Sequence, residues 1–226
     1  MSETFWKATR PDGTDFYTGT IDYAAALASG QPVTLPEVDN PICCTGTVLH
    51  ASTVPAGTLI GGAWPCRLFE VTGTPVAEEG SKRGFFSLTV IREVDVHLAL
   101  GPQGEHVAAL IDRARRLGHQ EPESLRAARD AARDAAQAAA GGAAEDAAWA
   151  AIRGTSRVAA WGAAVNAAWG AAWEAVRDAA WALVVRDLIG QHNFKQEHYD
   201  LLTRPWRTVI GPIHPDDDHL KGQDDE

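Results

Sequence analysis

The sequence predicts an α+β protein: a small antiparallel β-rich N-terminal unit followed by an alanine- and tryptophan-rich helical hairpin or bundle. Three observations carry this. Short apolar runs broken by Gly and Pro fill the first hundred residues, the period turns helical after Gly101-Pro102, and alanine occupies 27 of the 56 positions from 127 to 182. The expected division is a β-rich domain over 1–100, a helical domain over 101–212 and an acidic mobile tail over 213–226.

Thr4 to Arg10 is a first strand candidate. Pro11-Asp12-Gly13-Thr14 makes a turn, because Asp-Gly supplies a positive φ at little cost. Asp15 to Thr18 is expected to return as the partner strand. Ile21 to Ala28 suits a short helix ended by Ser29-Gly30. Ile42 to Ala51 is β-rich, and Val54 to Pro65 is a loop rich in Gly and Pro. Cys66 to Val71 alternates apolar and polar, the period of a half-buried strand. Phe85 to Val96 is a longer strand region with Leu88, Val90, Ile91, Val94 and Val96 as its core. Ala77 to Ser81 is the polar hairpin-like connection before it. About five strands make one antiparallel sheet.

From Gln103 onward, Val107, Leu110, Ile111, Ala114 and Leu117 form an apolar stripe at helical spacing, closed by Gly118. Alanine favours helix throughout the next segment, and Arg126 with Asp130 adds an i,i+4 pair. Gly141-Gly142 should break this helix, with a second break at Gly154-Thr155-Ser156. Residues 143–190 fit one helix or two. A later stripe runs through Val158, Trp161, Val165, Trp169, Val176 and Leu183. Gly154, Gly162 and Gly170 recur every eight residues, and small side chains let helix backbones approach closely. Closely packed antiparallel helices with inward-facing indoles follow. Asn193 is expected to open a last helix, with Gln196 as a partial capping box, and Pro205-Trp206 to end it.

A net charge of −10 excludes a globally basic nucleic-acid-binding surface. Arg113, Arg115 and Arg116 lie among Glu105, Asp112 and Glu121 and read as a solvated helix face. No membrane span is expected: the longest charge-free stretch of the helical half, Val158 to Trp173, is alanine-dominated and 16 residues long, against the roughly 20 a spanning helix needs. Cys43, Cys44 and Cys66 lack zinc-type spacing, and an odd count without an apolar leader points to reduced thiols in a cytoplasm. The adjacent pair Cys43-Cys44 is expected as buried, inert thiols on a strand.

No catalytic signature occurs: no phosphate loop, Rossmann fingerprint, nucleophile elbow or zincin motif. No cofactor or metal site is expected. His214-Pro215-Asp216-Asp217-Asp218-His219 has ligand residue types but sits in the acidic tail, and His192 and His198 do not share a helix face. His50, at the end of an apolar β stretch, is the foremost candidate, because histidine serves most readily as acid, base or ligand near neutral pH. Glu70 and Glu93 on later strands are its candidate partners.

Leu49-His50-Ala51-Ser52, then Cys66-Arg67-Leu68-Phe69-Glu70-Val71-Thr72-Gly73, then Leu88-Thr89-Val90-Ile91-Arg92-Glu93-Val94 together resemble an uncharacterised family of phages and bacteria, including actinobacteria. Its members join a compact β domain bearing a Gly-apolar-His-Ala-(Cys/Ser) motif to Ala/Trp-rich helical tails. Here Thr47-Val48 precede Leu49 and the glycine is displaced to Gly46. The resemblance implies architecture and no activity.

The expected role is a non-enzymatic binding or scaffold protein, acting on a protein partner or a small ligand, with a helical half that could pair with a second copy. The small-ligand version uses the Gly57–Pro65 loop as a lid over the sheet. The alternative is a small enzyme with an ADP-ribosyltransferase-like nucleotide cleft, built from His50 and one of Glu70 or Glu93 in a shared concavity.

Overall fold

The computed structural model describes residues 3–153, 157–158, 161–162 and 173–220, with the side chains of 135–141 and 218–220 outside that description. Two units divide the described chain, the first within residues 1–101 and the second from Pro102 onward, with 156–163 grouped with the first.

The first unit is a seven-stranded antiparallel sheet in the order β2-β7-β4-β1-β3-β6-β5. The strands are β1 (Thr4–Thr9), β2 (Val33–Thr34), β3 (Leu49–Ser52), β4 (Arg67–Thr72), β5 (Ala77–Glu79), β6 (Lys82–Phe85) and β7 (Ser87–Val94). One face carries Phe5, Leu49, Phe69, Val71, Phe85, Leu88 and Val90, packed against Tyr23 and Ala26 of helix α1 (Tyr23–Ser29). Asp22 caps α1 by accepting from the Ala25 N–H, and Gly30 closes it at φ +68, a left-handed conformation that glycine adopts without strain.

Three expectations for this unit are corrected. Asp15 to Thr18 forms a loop and not a strand, because the Asp15 carboxylate collects the donors of the following residues. The β-rich stretch from Ile42 narrows to β3, with residues 43–48 in turns. The region Phe85–Val96 is two strands, β6 and β7, meeting at Phe86, and Ile91 points to solvent at an alternate position between the buried Val90 and the half-buried Val94.

The second unit contains α2 (Gly104–Ala114), α3 (Glu121–Arg153), α4 (Trp173–Val184) and α5 (Gln196–Val209). The α2 stripe is as expected at Val107, Leu110 and Ile111, all buried. The helix stops at Ala114, however, and Gly118 serves the next element: its N–H donates to the Glu121 carboxylate, which also pairs with Arg113. α3 runs through Gly141-Gly142 without a break. Each glycine costs a helix only about 1 kcal/mol relative to alanine, and the alanine flanks carry it. The second expected break, at 154–156, lies outside the described residues, as do Val165, Trp169 and Gly170.

α4 is buried nearly all round, through Ala175, Val176 and Asp178 to Val184, and packs against α2, α3 and α5. Trp181 and Trp206 are buried, Trp149, Trp161 and Trp173 are partly so, and the Trp149 and Trp181 rings lie 5.8 Å apart. α5 begins at Gln196 with Lys195 as N-cap; its N–H donates to His198 Nδ1. Asn193 stands outside it at φ +61. Pro205 lies inside α5 instead of ending it. A mid-helix proline costs about 3 kcal/mol, and burial of Tyr199, Leu202, Pro205 and Trp206 along one side offsets this. Past the helix, Asp217 is buried and accepts the Tyr199 hydroxyl at 3.0 Å.

Candidate functional site

The first unit's sheet has a seam. β1 pairs with β4 along all six of its residues, and β3 with β6 along all four, but β1 and β3 register only at Trp6↔Ser52. At this seam lies a cleft of about 480 Å³. Its lining includes Lys7, Leu49 and Ala51 from the face covered by α1 and Trp6, His50 and Ser52 from the reverse face. Fully paired strands would keep these two sets apart, since successive side chains point to opposite faces; splayed strands let both reach one space.

The loop from Asp15 to Ile21 forms one wall. Asp15 is buried, and its carboxylate accepts from Thr18 N–H and Oγ1, Thr20 N–H and Ile21 N–H at 2.6–3.1 Å. Burial alone would push this carboxyl up, but the hydrogen bonds from Thr18 and Ile21 and the Lys7 ammonium outweigh it and bring it down to about 2. Phe16, Tyr17, Thr18 and Thr20 are thereby set along the cleft, with Tyr17 84% exposed. The loop enters through Gly13, at φ +92; a β-carbon there would sit 2.4 Å from the Ala24 β-carbon.

Lys7 lies deeper. Its Nζ is 5.1 Å from the centre of the buried Tyr23 ring, and among the described residues it has no hydrogen-bond or ion-pair partner. Burial brings its pKa down to about 8 against the opposing pull of Asp15, and Lys82 adds repulsion. Lys82, opposite Ser52 in register, also lines the cleft.

His50 flanks the seam. Its Nε2 accepts the Cys44 backbone N–H at 2.8 Å, which places the ring proton on Nδ1. Burial, then Lys7 and Lys82, push its pKa down to about 4, with Glu79 opposing. His50 is therefore a neutral hydrogen-bond donor through Nδ1 at physiological pH. Cys44 has φ +63 and stands exposed in a turn; its thiol is 3.4 Å from a Glu79 oxygen and 3.3 Å from Lys82 Nζ. Cys43 is buried, so the expected pair of inert strand thiols divides into one buried and one exposed group, neither on a strand.

The other wall is the turn Pro55–Gly57 with the residues following it. Gly57 packs against the sheet so closely that a β-carbon would meet Ser52 Oγ at 2.5 Å and Ser81 Oγ at 2.8 Å. Gly57, Thr58, Ile60 and Gly61 all line the cleft.

Of the three candidate residues, the structure brings only His50 to the cleft. Glu93 registers with Phe69, on the α1 face, and forms a bidentate pair with Arg67 at 2.8 and 2.6 Å. Glu70 lies on the reverse face, like His50, but registers with Trp6 two strands from β3 and pairs with Arg92 at 2.6 Å. The carboxylate whose charge acts on His50 is Glu79, in the segment read as a polar connection. Lys7 and Lys82 also escaped the sequence reading. A signal existed for Lys7: β alternation places it on the same side as Phe5, a core position where a lysine is out of place.

Elsewhere, His214 of the acidic segment packs its ring 4.4 Å from His106 and lies 3.2 Å from Gln103 Oε1. No helix among the described residues is long and apolar enough to cross a membrane. Compared with known proteins, the chain matches no family model, no curated protein and no solved structure.

Proposed function

We propose that the first unit is a small-molecule-binding module and that the protein acts through the ligand held at the β1/β3 seam. The observation that carries this is the cleft itself. Its 480 Å³ falls in the range of about 300–1,000 Å³ typical of small-molecule sites. Its walls are already built: the Asp15 loop is fixed by four hydrogen bonds, and the Gly57 turn is wedged against Ser52 and Ser81. Apolar rings and a small number of polar groups converge there, the usual chemistry of a recognition site.

The enzymatic version retains His50 at the cleft but finds neither Glu70 nor Glu93 beside it, and a histidine whose Nε2 is already occupied is poorly placed as a base. Binding without turnover is the reading the geometry favours.

Native mass spectrometry of gently purified full-length protein tests it. Gly46 lines the cleft, and a β-carbon there would meet nothing within 4 Å. Gly46→Trp should therefore fill the mouth while leaving the melting temperature close to that of the parent. A retained mass, or a hit from a fragment panel in ligand-observed NMR, that disappears in Gly46→Trp is the expected outcome. The absence of both a retained mass and any fragment hit would overturn the proposal.

A further inference from the structure

We infer that the seam cleft is selective for an anionic ring compound, whose phosphate or carboxylate oxygens lie between Lys7 and Lys82 and whose ring lies among Trp6, Phe16 and Tyr17. This rests on the binding role proposed above and names the ligand's chemistry.

Charge is the first support. The chain carries −10 overall, yet the cleft lining brings together Lys7, Lys82 and the Nδ1–H donor of His50. The lining's one acidic residue, Asp15, spends its oxygens on Thr18, Thr20 and Ile21. The cleft is thus a local positive region in an acidic protein, and low-dielectric walls strengthen such a field for an incoming anion.

Lys7 is the second support. A cation drawn out of water is costly unless paired, and among the described residues no hydrogen bond or ion pair reaches Lys7, whose Nζ lies 5.1 Å from the Tyr23 ring centre. Three ammonium donors are left facing a space large enough for a ligand. An anion there would relieve both the desolvation of Lys7 and its repulsion with Lys82. Among the described residues the one hydrogen bond from Lys82 Nζ goes to the weakly accepting Cys44 sulfur, which itself lies 3.4 Å from Glu79, so Lys82 can turn to a stronger acceptor in the cleft.

The walls supply the third support. Trp6, Phe16, Tyr17 and Tyr23 line the same space. A bare inorganic anion would leave this apolar and aromatic surface uncovered, whereas a ring compound buries it.

The test uses full-length protein carrying ε-¹³C-lysine, titrated with phenyl phosphate, benzoate, benzyl alcohol and inorganic phosphate. At least one of the two anionic ring compounds should bind and raise the Lys7 pKa from its resting position near 8. Lys7→Met and Lys82→Met should each weaken that binding about tenfold or more, as should exchange for benzyl alcohol, the loss expected for one charge-assisted hydrogen bond. Preference between phenyl phosphate and benzoate identifies the head group. Lys7→Met removes a half-buried cation and should fold; Lys82→Met supplies an independent check. Benzyl alcohol binding as well as the anions, unaffected by either lysine variant, would overturn the charge assignment and leave the binding role standing. Inorganic phosphate binding as tightly as phenyl phosphate would overturn the ring assignment. Failure of all four probes, together with no retained mass, would end both readings.

Discussion

Arg129 in α3 donates through Nε to Asp178 of α4 at 2.8 Å and through Nη1 to Glu174 at 2.6 Å. The two contacts are nearly equal in length but differ in burial, and burial should decide their worth. Arg129 is 4% exposed and Asp178 is buried with it, whereas the Glu174 side chain is 56% exposed. Breaking a buried pair from one side costs about 3–5 kcal/mol, because the other charge stays stranded. Asp178 keeps Arg177 on Oδ1, at 2.8 and 3.1 Å, so Arg129→Met should fall at the low end, about 3 kcal/mol. For a chain of this size that is a drop of about 6–12 °C in Tm. Glu174→Gln should cost less than about 1 kcal/mol, as exposed pairs do. Arg129→Met combined with Asp178→Leu should recover part of the loss, since the buried pair is removed from both sides while Arg177, which loses Asp178, keeps Glu145 at 3.2 Å. Urea denaturation followed by tryptophan fluorescence and far-UV circular dichroism measures all three. If Arg129→Met costs under about 1 kcal/mol, or Glu174→Gln proves as damaging, burial is not what sets the strength of this network.

Gly142→Ala should stabilise α3 by about 0.5–1 kcal/mol, because the site is exposed with nothing within 4 Å of the new methyl; a loss in the same denaturation assay would contradict the continuous helix. Gly13→Ala should cost at least about 2 kcal/mol through its 2.4 Å clash and φ of +92, while Gly30→Ala, in the left-handed well at φ +68 with open surroundings, should cost only about 1 kcal/mol; equal losses would contradict the close approach of Gly13 to α1. The folded pKa of Lys7, about 8, lies below its ordinary 10.5. Between these values the unfolded chain binds more protons, so Lys7 makes stability rise with pH across about 8–10.5. Cys43, Cys66 and Tyr23, whose pKa values burial raises, act in the opposite direction above about pH 9. The wild type should therefore gain about 2–3 kcal/mol over Lys7→Met across that window. A pH-independent difference between the two would show that Lys7 is well hydrated.

The parts of the fold that were legible are those fixed by neighbours in sequence. Alternation at Cys66–Val71 gave β4, Ser29-Gly30 marked the end of α1, and the Val107–Leu110–Ile111 spacing gave α2. Errors arose where a distant group overruled a local rule. Pro205 reads as a terminator until Tyr199 and Trp206 find a bundle to fill. Gly118 reads as a helix end until Glu121 takes its N–H. Asp15 to Thr18 has strand-like residues, but one carboxylate with four donors makes a tighter loop. At the site, His50 was visible as a polar residue in an apolar run. Lys82 and Glu79 were not, because their nearness to Cys44 comes from β-pairing across some forty positions, which no local pattern records.

The solitary Trp6↔Ser52 pair has a dynamic consequence. Four strands lie on one side of it and three on the other, and apart from this pair the two blades are held together by side-chain packing, such as the Phe5 and Phe85 rings 4.9 Å apart. A guest lodged there would add contacts across a joint where the backbone supplies one registered pair. Amide exchange in β1 and β3 should then slow on loading by more than in β4 or β6, and whatever docks on the outer surface of either blade would sense whether the joint is filled.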